Sequence, residues 1–250
     1  MTDQYEHKAK DWDEVPWKID LARDTYSAIC SKVNIHPDAH LVDLGGGTGL
    51  LTLKFLDSVS RITVVDTSQA MLAVLREKIK AEHLTNVNII EETLDTGTLP
   101  TDSCDVIISM LTLHHIDYVA DLFQHLYAAL VPGGKIALVD LVTEDGDFHP
   151  ADAQYVHNGF EPQILETLLE NTGFENIAID VFASVTREMD SGGTKAFPLF
   201  LITAEKGYVA AGGMGVRDTG QRPGWFVRHS LRRCLGNRFR HFRRSLRHRW

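Results

Sequence analysis

A chain of 250 residues is long enough to bury one sizeable core and fits a single α/β domain with an appendage. Its apolar and charged fractions, 44% and 24%, are those of an ordinary soluble globular protein. Three scattered cysteines (Cys30, Cys104, Cys234) exclude a disulfide framework, the polar residues 1–12 exclude a secretory signal, and no apolar run approaches the ~18–20 residues of a membrane span. A reducing, cytoplasmic setting is expected. The net charge of −9 is unevenly divided. Residues 207–250 hold eleven Arg, no Lys and one acid, Asp218, a balance of +10, so the rest of the chain carries −19. An acidic body is a poor platform for DNA or RNA, whose binding draws on phosphate neutralisation.

The elements follow in chain order. Residues 5–17 mix aromatics with charge (Tyr5, Trp12, Trp17), and a helix over 20–33 puts Leu21, Tyr26, Ile29 and Val33 on one face. Leu41, Val42 and Leu44 form a short buried-type strand. Gly45, Gly47 and Gly49 turn the chain, and 50–56 reads as the start of a helix. Residues 61–66 are β-branched and apolar, as a strand buried on both faces should be. Ser68 is a good N-cap for a helix to Ala81 with Met71, Leu72, Leu75 and Ile79 inward. Strands over 87–91 and 105–110 precede a helix over 118–130, which Pro132, Gly133 and Gly134 stop, and 135–141 is the fifth strand. After a polar loop over 142–159, Pro162 starts a helix that ends at Gly173. Strands over 177–185 and 197–204 close the order. Alternating β and α elements predict a mostly parallel sheet with helices on both faces. The last two strands are too close for a crossover helix, so the final one is antiparallel.

The glycine turn carries the chemistry. A strand, a glycine turn and a helix present bare backbone and N–H groups to a nucleoside-like ligand. A dinucleotide fingerprint, G-x-G-x-x-G, would need glycine where Leu50 stands. The chain has G-x-G-x-G instead, with Asp43 two residues before the first glycine. That acid suits a ligand bearing an ammonium and a sulfonium and would repel a pyrophosphate. In open α/β sheets ligands sit outside the carboxyl ends of the strands, where Asp66 and Asp95 fall. Asp66 can accept both hydroxyls of a ribose, or cap the following helix. Asp95 can accept from an adenine amino group, or be a solvated loop acid.

The block at 41–50 resembles motif I of the class I S-adenosylmethionine-dependent methyltransferases. Leu99-Pro100, Ser103 to Ile107, Leu113-His114-His115 and Leu130 to Lys135 stand in that family's order, so the resemblance spans roughly 38–141. It implies a three-layer Rossmann-like methyltransferase fold with a seven-stranded sheet, and S-adenosylmethionine as cofactor. It also implies that Asp43, Gly45, Gly47, Asp66 and Asp95 bind the cofactor, with Gly49 completing the turn. Ser109 and Leu111 then lie at the cofactor's methionine end. The Asn/Asp-Pro-Pro-Tyr/Phe motif of enzymes that methylate exocyclic base amines or glutamine amides is missing, replaced by Met110, Leu111, Thr112 and Leu113.

Methyl transfer from a sulfonium is mainly in-line positioning and exclusion of water. A general base is needed only if the acceptor holds its proton at neutral pH. His114 and His115 are the catalytic candidates, unless they only shape the pocket or cap a helix. His149 and His157 are substrate-side candidates in the 142–159 loop. With Asp145, Asp147 and Asp152 they suggest metal ligands, but the spacing fits no template and no metal is expected. Tyr5 and Trp12 form a lid over the site or pack the first helix.

The expected organisation is an N-terminal lid segment (1–36), the methyltransferase domain (37–206) and an Arg-rich tail (207–250) outside the fold. In the tail, Val227, Leu231, Leu235, Phe239, Phe242, Leu246 and Trp250 fall on one helical stripe among arginines. That pattern suits an anionic membrane or RNA. Arg without Lys and a glycine-rich lead-in equally suit a nonnative, out-of-frame extension, the reading favoured here. The expected activity is methyl transfer to a small molecule. Its alternatives are an RNA or protein methyltransferase docking through the tail, and a noncatalytic S-adenosylmethionine-binding protein. The acceptor atom and the oligomeric state are not legible.

Overall fold

The computed structural model describes residues 3–93, 99–149, 153, 156–189 and 192–208; Asp95, Asp152 and residues 209–250 lie outside them. Seven strands, β1 (His40–Leu44), β2 (Arg61–Asp66), β3 (Val87–Glu91), β4 (Cys104–Met110), β5 (Leu130–Leu141), β6 (Phe174–Glu188) and β7 (Thr194–Lys206), form one sheet in the order β3-β2-β1-β4-β5-β7-β6. β1 to β5 pair in parallel, and β7 runs antiparallel between β5 and β6. The helices are α1 (Pro16–Lys32), α2 (Gln69–Ala81), α3 (Val119–Ala129) and α4 (Pro162–Thr172).

Successive strand residues point to opposite faces, and each face has its own core. Leu41, Val64 and Ile108 pack with Ile29 of α1 and with Leu72 and Leu75 of α2. Val42, Val65 and Ile107 pack with Phe123 and Leu126 of α3 and with Leu165 and Leu169 of α4. This is the three-layer arrangement that double-faced apolar strands require. Leu72 and Leu75 are 0% exposed, and burying a leucine fully contributes about 1.5–3 kcal/mol. Among the described residues no helix is long and apolar enough to cross a membrane.

Three local expectations are corrected. The expected helix over 50–56 is a single 3₁₀ turn, Thr52–Phe55. The Thr52 hydroxyl is drawn to the Asp43 carboxylate, and the Ser58 N–H already closes on Phe55 O at 2.9 Å. Pro132, Gly133 and Gly134 do not interrupt the chain between helix and strand. α3 ends at Ala129, and these residues form an irregularity inside β5, between the pairs Cys104↔Leu130 and Val106↔Lys135. A proline cannot donate to a ladder, so a bulge is where a strand tolerates one. α1 begins four residues early, with Pro16 in its first turn, where a preset φ and a missing N–H cost nothing. Ser68 caps α2 as expected, accepting from Met71 N–H at 3.2 Å, and Gly173 ends α4 at φ 107°.

Candidate active site

At the carboxyl ends of β1 and β2 the backbone turns through Gly45 (φ 65°), Gly47 (φ 53°) and Gly49 (φ 81°). The three are not equivalent. A Cβ on Gly45 would lie 2.2 Å from Thr112 Oγ1, and one on Gly49 2.6 Å from Leu75 Cδ1, so both permit close packing of the turn on its neighbours. A Cβ on Gly47 would meet nothing nearer than Met71 Cε at 3.7 Å. Gly47 borders the cavity, with room for a Cβ at ordinary contact distance from Met71 and Asp66.

Asp66 closes this turn from β2. Its Oδ2 accepts the Gly47 N–H and its Oδ1 the Ser68 N–H, each at 2.8 Å. Burial raises its pKa above the usual carboxylate range even against those N–H groups. Asp43, 1% exposed, accepts from the Thr52 hydroxyl. Burial pushes its pKa up to about 7, and the Asp66 charge acts in the same direction.

The N-terminal segment folds over these strand ends. The Asp3 carboxylate accepts the Tyr5 N–H at 2.9 Å, the Ser68 hydroxyl at 2.8 Å and the Ala70 N–H at 3.0 Å. It thereby occupies the start of α2, where a negative charge is favoured. Asp13 accepts from Thr48 Oγ1 at 2.5 Å and pairs with Lys78, which also donates to Thr48 O at 2.7 Å. The aromatics between these tethers meet edge to face, Tyr5 against Trp12 at 5.6 Å, and the Lys18 ammonium sits over the Trp12 ring. Burial, then the charges of Lys8 and Arg187, lower the Lys18 pKa to about 8.

Opposite the glycine turn lies a histidine cluster. β4 ends in Leu111, held at φ 58°, a conformation that costs a leucine about 1–2 kcal/mol. The chain then forms a 3₁₀ turn, Leu113–His115. Asp140, 0% exposed on β5, accepts from His114 Nδ1 at 2.7 Å and from the His114 N–H at 3.3 Å. On the far side of the His114 ring, Nε2 meets His149 Nε2 at 2.9 Å. His115 Nε2 meets the Tyr5 hydroxyl at 3.1 Å. The loop carrying His149 is shaped by Glu144, whose Oε2 accepts the N–H groups of Gly146, Asp147 and Phe148. Burial, followed by His114, His115 and Arg187, pushes His149 down to about 3, so its ring is neutral at physiological pH.

One cavity of about 1030 Å³ joins the two halves, running from Gly47 and Asp66 past Met110, Leu111 and Thr112 to His114, His115 and His149. Asp43, Gly45, Tyr5 and Trp12 border it too. Three expected site residues are placed elsewhere. Gly49 packs on Leu75. Ser109 is 0% exposed and donates to Leu44 O at 2.8 Å, tying β4 to β1. His157 is spent on Ile116 O at 2.9 Å, with no place on the cavity wall. Asp145 and Asp147 pair with Lys195. Sequence reasoning passed over Asp140, Lys18, Arg187 and the tethers Asp3 and Asp13. Only Asp140 left a signal, a lone acid in the apolar run of β5.

Comparison with known proteins bears on the domain that carries this cavity. Residues 42–138 match a family described as "Methyltransferase domain". The ubiquinone/menaquinone biosynthesis C-methyltransferase of Shewanella pealeana is 24% identical over 171 residues, covering 56% of this chain and 68% of that protein. Among solved structures, phosphoethanolamine N-methyltransferase 2 of Haemonchus contortus, in complex with S-adenosyl-L-methionine, superposes with a TM-score of 0.64 at 15% identity, covering 82% of this chain and 60% of that one. The YcgJ protein of Bacillus subtilis gives a TM-score of 0.61 at 15% identity, covering 74% and 99%. The matched segment spans the glycine turn, Asp66 and the end of β4, so residues 42–138 form a methyltransferase domain of the class I, S-adenosylmethionine-dependent type.

Proposed function

We propose that this enzyme methylates a small molecule carrying an anionic group, bound between the glycine turn and the histidine cluster. The observation that carries the reading is the continuity of this cavity from Gly47 and Asp66 to the histidines. At about 1030 Å³ the cavity stands at the upper end of the ~300–1,000 Å³ range of small-molecule pockets, large enough for a small acceptor beside a nucleoside cofactor. Lys8, Lys18 and Arg187 on its wall suit an acceptor with a carboxylate or phosphate. The acidic body of the chain opposes a nucleic acid there. The relatives' names, a C-methyltransferase of quinone biosynthesis and a phosphoethanolamine N-methyltransferase, speak for a small-molecule acceptor, anionic in the second, and differ in the acceptor atom.

When bound, S-adenosylmethionine supplies a methyl group on a sulfonium, whose displacement leaves a neutral sulfur. Gly47 would let the ligand reach the backbone, and Asp66 would accept from its ribose hydroxyls. Asp43 would meet its cationic end, and Asp95, outside the described residues, is assigned the adenine amino group from the sequence alone. Tyr5 and Trp12 exclude water so that the transfer is in-line and dry. His115 and His149 stand at the acceptor end, where a proton must leave any acceptor protonated at neutral pH. His114 is held by Asp140 and positions His149.

A labelled-methyl screen over metabolite, RNA and protein fractions tests this. Label should enter a small anionic metabolite, and Lys18→Met should raise its KM more than it lowers kcat. Label in RNA or protein, lost on removing the Arg-rich tail, would favour the docking alternative instead.

A further inference from the structure

We propose that His114, His115 and His149 form a binding site for one divalent transition metal of the zinc type. The three residues come from two segments, the turn after β4 and the loop after β5, and one ligand atom from each lies within 4.8 Å of the others. Tetrahedral zinc with nitrogen ligands at ~2.0–2.1 Å requires nitrogen separations of ~3.3 Å. The His114–His149 pair, at 2.9 Å, is already near that value, and small side-chain rotations bring in His115.

The surroundings have the form such a site needs. A metal-bound histidine usually gives its other ring nitrogen to a carboxylate, which fixes the tautomer and raises the ligand's basicity. Asp140, fully buried, does this for His114 at 2.7 Å and also accepts the Leu141 N–H at 2.7 Å, so the carboxylate is itself locked. The rings lie close and tilted to one another, His114 to His115 at 4.2 Å and to His149 at 4.8 Å between centroids, and Phe148 walls the group from the core side.

Three protein ligands on a cavity wall leave a fourth position open to a ligand, the arrangement of catalytic rather than structural zinc. Arg187, whose charge reaches His149, favours an anion in that position. A hydroxyl or thiol of an acceptor would release its proton to water on binding there, since a divalent metal lowers the pKa of what it holds. The site itself stands on geometry, apart from the methyl transfer proposed above.

The test is titration of the metal-stripped full chain with Co²⁺, read by the visible bands of tetrahedral cobalt, with competition by Zn²⁺. The wild type should bind one equivalent with tetrahedral bands. His115→Ala and His149→Ala should each weaken binding at least a hundredfold, and His149→Gln, which keeps polarity and bulk, should do the same. Asp140→Asn should weaken it about tenfold to a hundredfold, the range for loss of a carboxylate behind a ligating histidine. Calorimetry with S-adenosylhomocysteine on the same variants shows whether they are folded and separates this proposal from the cofactor reading. No saturable tetrahedral Co²⁺ site in the wild type overturns the proposal. Wild-type affinity in the His115→Ala/His149→Ala double variant would also overturn it, since the metal would then sit on other histidines.

Discussion

A methyl group placed on Gly45 would sit 2.2 Å from Thr112 Oγ1, whereas one on Gly47 meets nothing within 3.7 Å. Two substitutions of the same kind in one turn therefore have different consequences. Gly45→Ala should lower stability by about 2–4 kcal/mol, from overpacking and a left-handed φ together. Gly47→Ala should lose only about 1–2 kcal/mol of stability yet weaken S-adenosylhomocysteine binding at least tenfold, because its methyl enters the ligand's space. Urea titration and calorimetry on the pair separate the two effects. Normal ligand affinity in Gly47→Ala would make the turn merely structural. Asp43 gives a pH signature. Its pKa is about 7 in the fold against 3.8 for an ordinary aspartate, so folding favours the protonated form. The stability it contributes is complete below pH ~4 and is lost as pH rises through 7. Asp43→Asn should flatten the wild-type decline in unfolding free energy between pH 4.5 and 7.5. An unchanged slope would show that Asp43 is ionised in the fold.

Among the elements, the N-terminal segment turns the strand ends into an enclosed site. Asp3 and Asp13 pin it to α2 and to Thr48, so its order should depend on the glycine turn it covers. S-adenosylhomocysteine should slow hydrogen exchange over residues 5–18. Asp13→Ala should speed that exchange in the free enzyme and weaken affinity about tenfold, as loss of a charged hydrogen bond implies. Equal exchange with and without ligand would leave the segment as simple packing on α1. The sheet was legible in advance because its strands are apolar on both faces and its helices carry their own caps, Ser68 and Gly173. The glycine turn was legible because its spacing is a local property. The histidine site was only half legible. His114 and His115 are adjacent in sequence, but their partners Asp140 and His149 lie some 25 to 35 residues away, and only the β4–β5 pairing brings them together. Ser109 and His157 stood at the expected ends of their segments, yet a one-residue alternation along β4 and a backbone carbonyl at Ile116 turn them from the cavity.

For the whole molecule, charge is the informative quantity. The last 44 residues carry +10 and the remainder −19, while β7 ends at Lys206 and the Tyr208 hydroxyl packs on Gly133. Truncation after Tyr208 should leave S-adenosylhomocysteine affinity and small-molecule turnover unchanged and lower the isoelectric point. Vesicle partitioning or salt-sensitive RNA binding confined to the full chain would reveal a docking role for the tail. The central claim is that the cavity at the ends of β1 and β2 holds the cofactor through Asp66. Its most direct test is calorimetric titration of S-adenosylhomocysteine into the wild type and Asp66→Ala, with thermal melts to show both are folded. One site in the wild type and affinity more than tenfold weaker in the variant is the predicted result. Equal affinity in a folded Asp66→Ala protein would contradict it.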